Sequence, residues 1–335
     1  MRQYMILTFM ACLLLSATSC KTGNSNKVSE DDTRSEKSPV VVPDFNADSA
    51  YHYVQKQVDF GPRVPNTKEH MDCGEFLAKK LEEYGAKVTN QYADLLAFNG
   101  TILKARNIIG SYDPENKKRV LLFAHWDTRP WSNNDPDKNN HNTPVLGAND
   151  GASGVGVLLE VARLINQQAP TLGVDIIFFD AEDYGSTQYY KGEHKEEHWC
   201  LGSQYWARNP HVTGYNARFG ILLDMVGGKN ATFYRELYSE EYARSVNKKV
   251  WKKAKELGYS AIFIDEEGAM ITDDHLFINK IARIPSIDIV PYIVDAKLSN
   301  FGDFWHTVND DMSGIDKNTL KAVGQTVLAV VYNEK

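Results

Sequence analysis

The sequence predicts an α/β fold, a single domain with a central, twisted, mixed but mostly parallel sheet and helices on both faces. Three observations predict it. The runs VLLFA, DIIFF and GILLD are apolar at successive positions rather than at alternate ones, so both faces of those strands are buried. Stretches of helical periodicity separate these runs. Acidic and histidine residues follow the runs, where loops leave the carboxyl ends of parallel strands.

Taken in order, residues 50–58 and 69–84 carry apolar side chains at helical spacing, broken between them by Phe60-Gly61-Pro62-Arg63 and Pro65. Gly85 ends the second helix as a cap. Strand candidates lie within 94–103 and 105–112, and Asn99-Gly100 is the turn signal of a hairpin. An alternating pattern follows: strand 119–124, helix 154–167, strand 174–180, helix 202–209, strand 219–225. Next come helix 240–257, strand 261–264, helix 274–281, strand 286–289 and a final helix from 317 to about 332.

The first twenty residues, MRQYMILTFMACLLLSATSC, place a basic residue, Arg2, before a short apolar run, and are read as a secretory signal over 1–19. Ala17-Thr18-Ser19-Cys20 resembles a bacterial lipobox, so Cys20 is expected to carry lipid and anchor an exported, periplasmic protein to a membrane. Residues 20–43 are polar enough to remain a flexible tether, which leaves 44–335 as the folded α/β domain. Of the four cysteines, Cys12 leaves with the signal and Cys20 is lipidated; Cys73 and Cys200 are expected to be free. A net charge of −7 without a basic block argues against nucleic acid as a partner, and a monomer is the expected state.

The chemistry lies in an ordered series: His125 and Asp127, Asp150, Glu182 and Asp183, Asp224, Asp273 and Asp274, then His306. A single carboxylate after a strand is an ordinary turn former. The series as a whole reads as a metal-dependent enzyme, with ligands converging from separate strand ends. Asp150, Asp183 and His306 would form a three-ligand site with an open position. Glu182 is then the adjacent acid/base, and Asp127 the group that orients His125. His194-Lys195-Glu196-Glu197-His198 matches an inverted zinc-protease pattern, but its polar setting marks a solvated loop. Asp135-Pro136-Asp137-Lys138-Asn139 begins like a calcium loop and lacks its glycine and terminal glutamate, so it reads as an Asn-rich surface loop.

Through FGPRVPNT, HWDT, GANDGASG, FFDAED, CLGSQYWA, LLDMVGG, DDH and FWHT, the chain resembles the zinc aminopeptidase and glutaminyl cyclase superfamily. Within it, the chain looks like the bacterial glutaminyl cyclases of the animal type. The resemblance implies a zinc-aminopeptidase-like fold and one Zn2+ held by Asp150, Asp183 and His306. It implies Glu182 as acid/base, Asp224 and Asp273 in a hydrogen-bonded network with it, and Trp305 and Trp199 as walls of the substrate pocket. The implied reaction converts the N-terminal glutamine of peptides or proteins to pyroglutamate and releases ammonia. Asp183 stands where related enzymes often have glutamate, and Asp288 where animal cyclases have histidine. A two-zinc aminopeptidase, with His125, Asp150 and Asp224 around a second ion, stays open on spacing alone. A non-catalytic binding lipoprotein on the same scaffold is the reading from another class.

Overall fold

The computed structural model describes residues 41–335. The expected signal over 1–19, the lipidated Cys20 and all but the last three residues of the tether lie outside the described residues. Two helices open the domain, α1 (Ala47–Val58) and α2 (Lys68–Glu83). Each begins on a side-chain cap: the Asn46 carboxamide accepts from the backbone of Asp48 and Ser49, and the Thr67 hydroxyl from His70. A hairpin follows, β1 (Lys87–Leu96) and β2 (Ile102–Tyr112), turned at Asn99-Gly100 as the sequence predicts. Then come β3 (Arg119–His125), α3 (Ala152–Gln167), β4 (Gly173–Phe179), α4 (Leu201–Arg208) and β5 (Gly220–Leu223). The chain ends through β6 (Phe233–Arg235), α5 (Leu237–Glu256), β7 (Phe263–Glu267), α6 (Asp274–Phe277), β8 (Ser286–Ile289) and α7 (Lys317–Asn333).

Six strands form the central sheet in the order β1-β2-β4-β3-β5-β8. The first two pairings are antiparallel and the remaining three parallel, so the sheet is mixed and parallel through its centre. Alternate residues of β3 part company: Leu122 and Ala124 face a core shared with α1, α2, α3 and α7, while Leu121 and Phe123 meet Trp206 of α4 and Ile278. Helices therefore cover both faces, which is why these strands are apolar at every position. Because β4 and β5 flank β3 on opposite sides, the chain reverses direction across the sheet there. A crevice opens at their carboxyl ends.

Three differences from the sequence reading concern short or polar elements. β1 starts well before residue 94, because an edge strand exposed on one side needs no apolar run. The strand expected at 261–264 runs later, over Phe263–Glu267, and pairs in parallel with the unpredicted β6 in a separate two-stranded sheet. The helix expected at 274–281 is one α turn followed by a π turn, Ile278–Ala282. No helix among the described residues is long and apolar enough to cross a membrane. Cys73 and Cys200 are buried and unpaired.

Candidate active site

Strand ends deliver the predicted residues to one crevice. His125 is the last residue of β3, Glu182 and Asp183 lie just beyond β4, and Asp224 follows β5 directly. Asp150 sits in the turn before α3. Gly151 there adopts φ 94°, and a side chain on it would collide with the Asp127 carbonyl at 2.6 Å, so only glycine fits. One ligand atom from each of Asp150, Asp183 and His306 lies within 4.8 Å of the others. His306 Nε2 is 3.1 Å from Asp183 Oδ1 and 3.6 Å from Asp150 Oδ2. The shorter Asp183 side chain thus reaches the shared centre.

These residues fit a bound cation. Asp150 Oδ2 and Asp183 Oδ2 are buried acceptors without a hydrogen-bond partner, which is costly unless a positive charge meets them. Burial, reinforced by the Arg129 guanidinium, pushes the His306 pKa well below the ordinary histidine range, so its imidazole is neutral with a lone pair to donate. Two carboxylates and an imidazole are a donor set that suits zinc.

Backbone grips aim the ligands. Asp310 accepts from the backbone N–H of Asn149 through Oδ1 at 2.8 Å and of Asp150 through Oδ2 at 3.0 Å. The buried Arg63 guanidinium donates to the carbonyls of Leu146 and Gly147, closing the same turn from the other side. The sequence assigns Asp127 to orienting His125. Its carboxylate stands 3.5 Å from His125 Nδ1, and its hydrogen bonds go to the backbone N–H groups of Glu182 and Asp183, both at 3.1 Å. It thus holds the loop that presents Glu182 and Asp183 to the crevice. Arg129 donates to the carbonyl of Asp183 at 2.9 Å and lies over the Trp199 ring, 4.8 Å from its centroid.

A second cluster joins His125, Asp150 and Asp224, with His125 Nε2 3.0 Å from Asp150 Oδ1 and 3.1 Å from Asp224 Oδ1. Here the imidazole already stands between the two carboxylates and hydrogen-bonds Asp224 Oδ1. The third brings Glu182 and Asp273 together with Cys200, whose thiol donates to Glu182 Oε1 at 3.3 Å.

Carboxyl groups crowd this side of the crevice. Burial, opposed by His125 and aided by Asp183 and Asp273, raises the Glu182 pKa well above the carboxylate range. Burial likewise lifts Asp224 to about 6 and Asp273 to about 7. Asp288 is fully buried beside Asp273, and neither of its oxygens finds a hydrogen-bond partner, so it too favours the protonated form. So many carboxyls in a dry crevice retain protons near neutrality and can pass them on.

The crevice has a volume of about 260 Å³. Trp305 stacks on His306 with ring centroids 3.8 Å apart, and Trp199 lies parallel to His306 at 6.2 Å. Gly185 makes room for the Trp199 indole, since a side chain there would come within 2.0 Å of it. Several site residues hold the left-handed backbone conformation: Ala181 (φ 54°), Cys200 (56°), Met225 (51°) and His306 (56°).

All of the predicted site residues line or adjoin this one crevice. Sequence reasoning missed Arg129, Asp310, Arg63 and Cys200 as participants, though Arg63 lies inside FGPRVPNT and Cys200 inside CLGSQYWA. The Asn-rich loop also supports the His306 segment from behind. Asn134 N–H donates to the His306 carbonyl at 3.0 Å, and Asp135 accepts from the Val308 N–H at 3.1 Å.

Buried carboxylates and imidazoles at the carboxyl edge of a mostly parallel sheet are the construction of zinc-dependent exopeptidase-like folds. The chain belongs to peptidase family M28, whose sequence profile matches residues 107–331. It is similar to the Bacteroides thetaiotaomicron glutaminyl cyclase solved with N-acetylhistamine bound: 70% identity, TM-score 0.86, covering 88% of this chain and 100% of that one. A leucine aminopeptidase precursor from the same organism is similar at 71% identity and TM-score 0.86, covering 89% and 100%. Aminopeptidase YwaD of Bacillus subtilis is 27% identical over 285 residues, which span 81% of this chain and 54% of that protein. The chain spans 35% and 54% of the first two curated relatives it matches.

Proposed function

We propose that this chain is a zinc-dependent glutaminyl-peptide cyclotransferase that converts N-terminal glutamine to pyroglutamate and releases ammonia. The observation that carries the reading is the pairing of one cation-demanding cluster, Asp150, Asp183 and His306, with an uncommitted acid at Glu182. The likeness to a solved bacterial glutaminyl cyclase supports it.

A zinc ion held by Asp150, Asp183 and His306 would supply Lewis acidity toward the side-chain carbonyl of the substrate glutamine. Trp305 and Trp199 would confine that side chain. Glu182, whose pKa burial raises above the carboxylate range, takes a proton from the α-amine as the amine nitrogen bonds to the side-chain carbon. The carbon–nitrogen bond of the amide then breaks, and Glu182 returns the proton to the leaving nitrogen as ammonia. Asp224 and Asp273 hold the protons of the surrounding network. Orientation of an amine and carbonyl within one residue removes much of the barrier's entropic part. The N-terminal sequence supports export and lipid anchoring at Cys20, which would place a monomeric enzyme in the periplasm, where signal cleavage exposes new N-termini.

A two-metal aminopeptidase is the second reading, favoured by the His125, Asp150 and Asp224 cluster. Against it, the unpartnered oxygens belong to Asp150 and Asp183, whereas His125 already meets Asp150 Oδ1 and Asp224 Oδ1. The test is ammonia release from a Gln-initiated peptide beside p-nitroaniline release from Leu-p-nitroanilide, with metal assayed on the same sample. Ammonia, an inert Leu substrate and about one zinc per chain support the cyclase. Leu-p-nitroanilide hydrolysis with two metals overturns it, and absence of metal with neither activity favours a binding protein.

A further inference from the structure

A second cavity, of about 620 Å³, adjoins the crevice and shares Trp199, Thr272, Trp305 and His306 with it. Most of the side chains around it carry polar groups, set among the apolar faces of Trp199 and Trp305. The Gln188 amide donates to the Asn133 carbonyl at 2.8 Å and to Asn134 Oδ1 at 3.2 Å. Across the cavity, Glu196 pairs with Lys280 at 2.5 Å and faces the Thr272 hydroxyl at 3.5 Å, tying its loop to the opposite rim. The two histidines of the zinc-protease-like pattern brace the same loop, with His194 Nδ1 and His198 Nδ1 each 3.3 Å from Ser186 Oγ. That pattern is a structural brace for a preformed cleft.

Resting on the cyclase reading, we infer that this cleft binds the second and third residues of the substrate peptide through their backbone. The crevice of about 260 Å³ suits one glutaminyl residue, so a longer substrate must leave it. Its other rim is apolar, with Met270 and Phe301, and would leave peptide N–H and carbonyl groups without partners. The Gln188 amide is engaged by Asn133 and Asn134 and holds the wall in place, and the amide group left to meet a peptide beside the shared tryptophans is Asn134 Nδ2. Of the charged groups that line it, Arg129 is paired with Asp183 at 3.4 Å, Lys195 with Glu193 at 2.9 Å and Glu196 with Lys280, so none is left free to select a charged side chain. The ligand class is an extended peptide backbone with little side-chain preference.

The test measures KM for glutamine amide, Gln-Ala-amide, Gln-Ala-Ala-amide and Gln-Ala-Ala-Ala-amide. KM is expected to fall about tenfold from the first to the third, the effect of one or two hydrogen bonds, and then level off. Gln188→Trp, which fills the cleft from an exposed position, is expected to abolish this length dependence, and Gln-Ala-Ala-amide should then resemble glutamine amide. A KM independent of length in the wild type overturns the inference. So does loss of the length dependence in Met270→Ala with its retention in Gln188→Trp, since the peptide would then leave across the apolar rim. Glutamine amide needs no cleft, so its failure to react strikes at the cyclase reading itself.

Discussion

Asp310 does not line the crevice, yet it grips the turn that carries Asp150. Its two oxygens accept the backbone N–H groups of Asn149 and Asp150 at 2.8 and 3.0 Å, which fixes the direction in which the Asp150 carboxylate leaves the turn. Replacing Asp310 with alanine leaves two buried N–H groups unpaired, at about 1–3 kcal/mol each. Part of that is offset. Burial and the nearby Asp150 raise the Asp310 pKa to about 7, so removing the carboxyl relieves an unfavourable burial. A net loss of about 2–4 kcal/mol is expected, and about half of it for Asp310→Asn, which keeps one acceptor. Urea unfolding of metal-free protein reads this loss. A misdirected Asp150 should also weaken zinc about 10- to 100-fold, as removing a group that orients a ligand does. Competition with a chelator measures it. An Asp310→Ala protein that binds zinc as tightly as the wild type would refute the positioning role, even if its stability fell.

Glu182→Gln is expected to lower kcat for a Gln-initiated peptide by about 10²- to 10⁴-fold while zinc content is unchanged; loss of zinc or surviving turnover would move the acid/base elsewhere. Cys200→Ala, which removes the thiol hydrogen bond to Glu182, should lower kcat about three- to tenfold at similar KM, and Cys200→Ser should recover it; equal kcat in both variants contradicts the role. The metal-free protein should lose thermal stability as pH rises from about 5 to about 8. Burial raises Asp224 to about 6, Asp273 to about 7 and Asp274 to about 8, all above their unfolded values. Their contribution is therefore full below the unfolded pKa and is lost as pH climbs through the folded ones. Glu236, lowered to about 2 mainly by His275 against the effect of burial, acts only at more acidic pH. A melting temperature that is flat or rising over that window would show that these carboxyls ionise freely.

The parallel centre of the sheet was legible because burial on both faces favours consecutive apolar residues, as in Val120–Ala124 and Ile176–Phe179. The polar edge β1 and the three-residue β6 leave no such mark. The same division holds at the site. Asp150, Glu182, Asp183, Asp224 and His306 stand at the ends of recognisable segments. Asp310 acts on a backbone 160 residues away, and neither its neighbours nor its spacing announces that role. Arg129 acts through the carbonyls of Asp183 and Gly185, and a guanidinium aimed at main-chain oxygen has no sequence signature.

The left-handed backbone at Ala181, Cys200, Met225 and His306 bears on attempts to make this protein more heat-resistant. Each such residue carries roughly 1–2 kcal/mol of conformational cost that glycine would avoid. Glycine at Ala181 relieves strain but frees the main chain beside Glu182, and at His306 it deletes an imidazole. Relief of strain is therefore safer at Asn66, Asp113, Asn230 and Arg283, which share the left-handed conformation away from the crevice, than at these four.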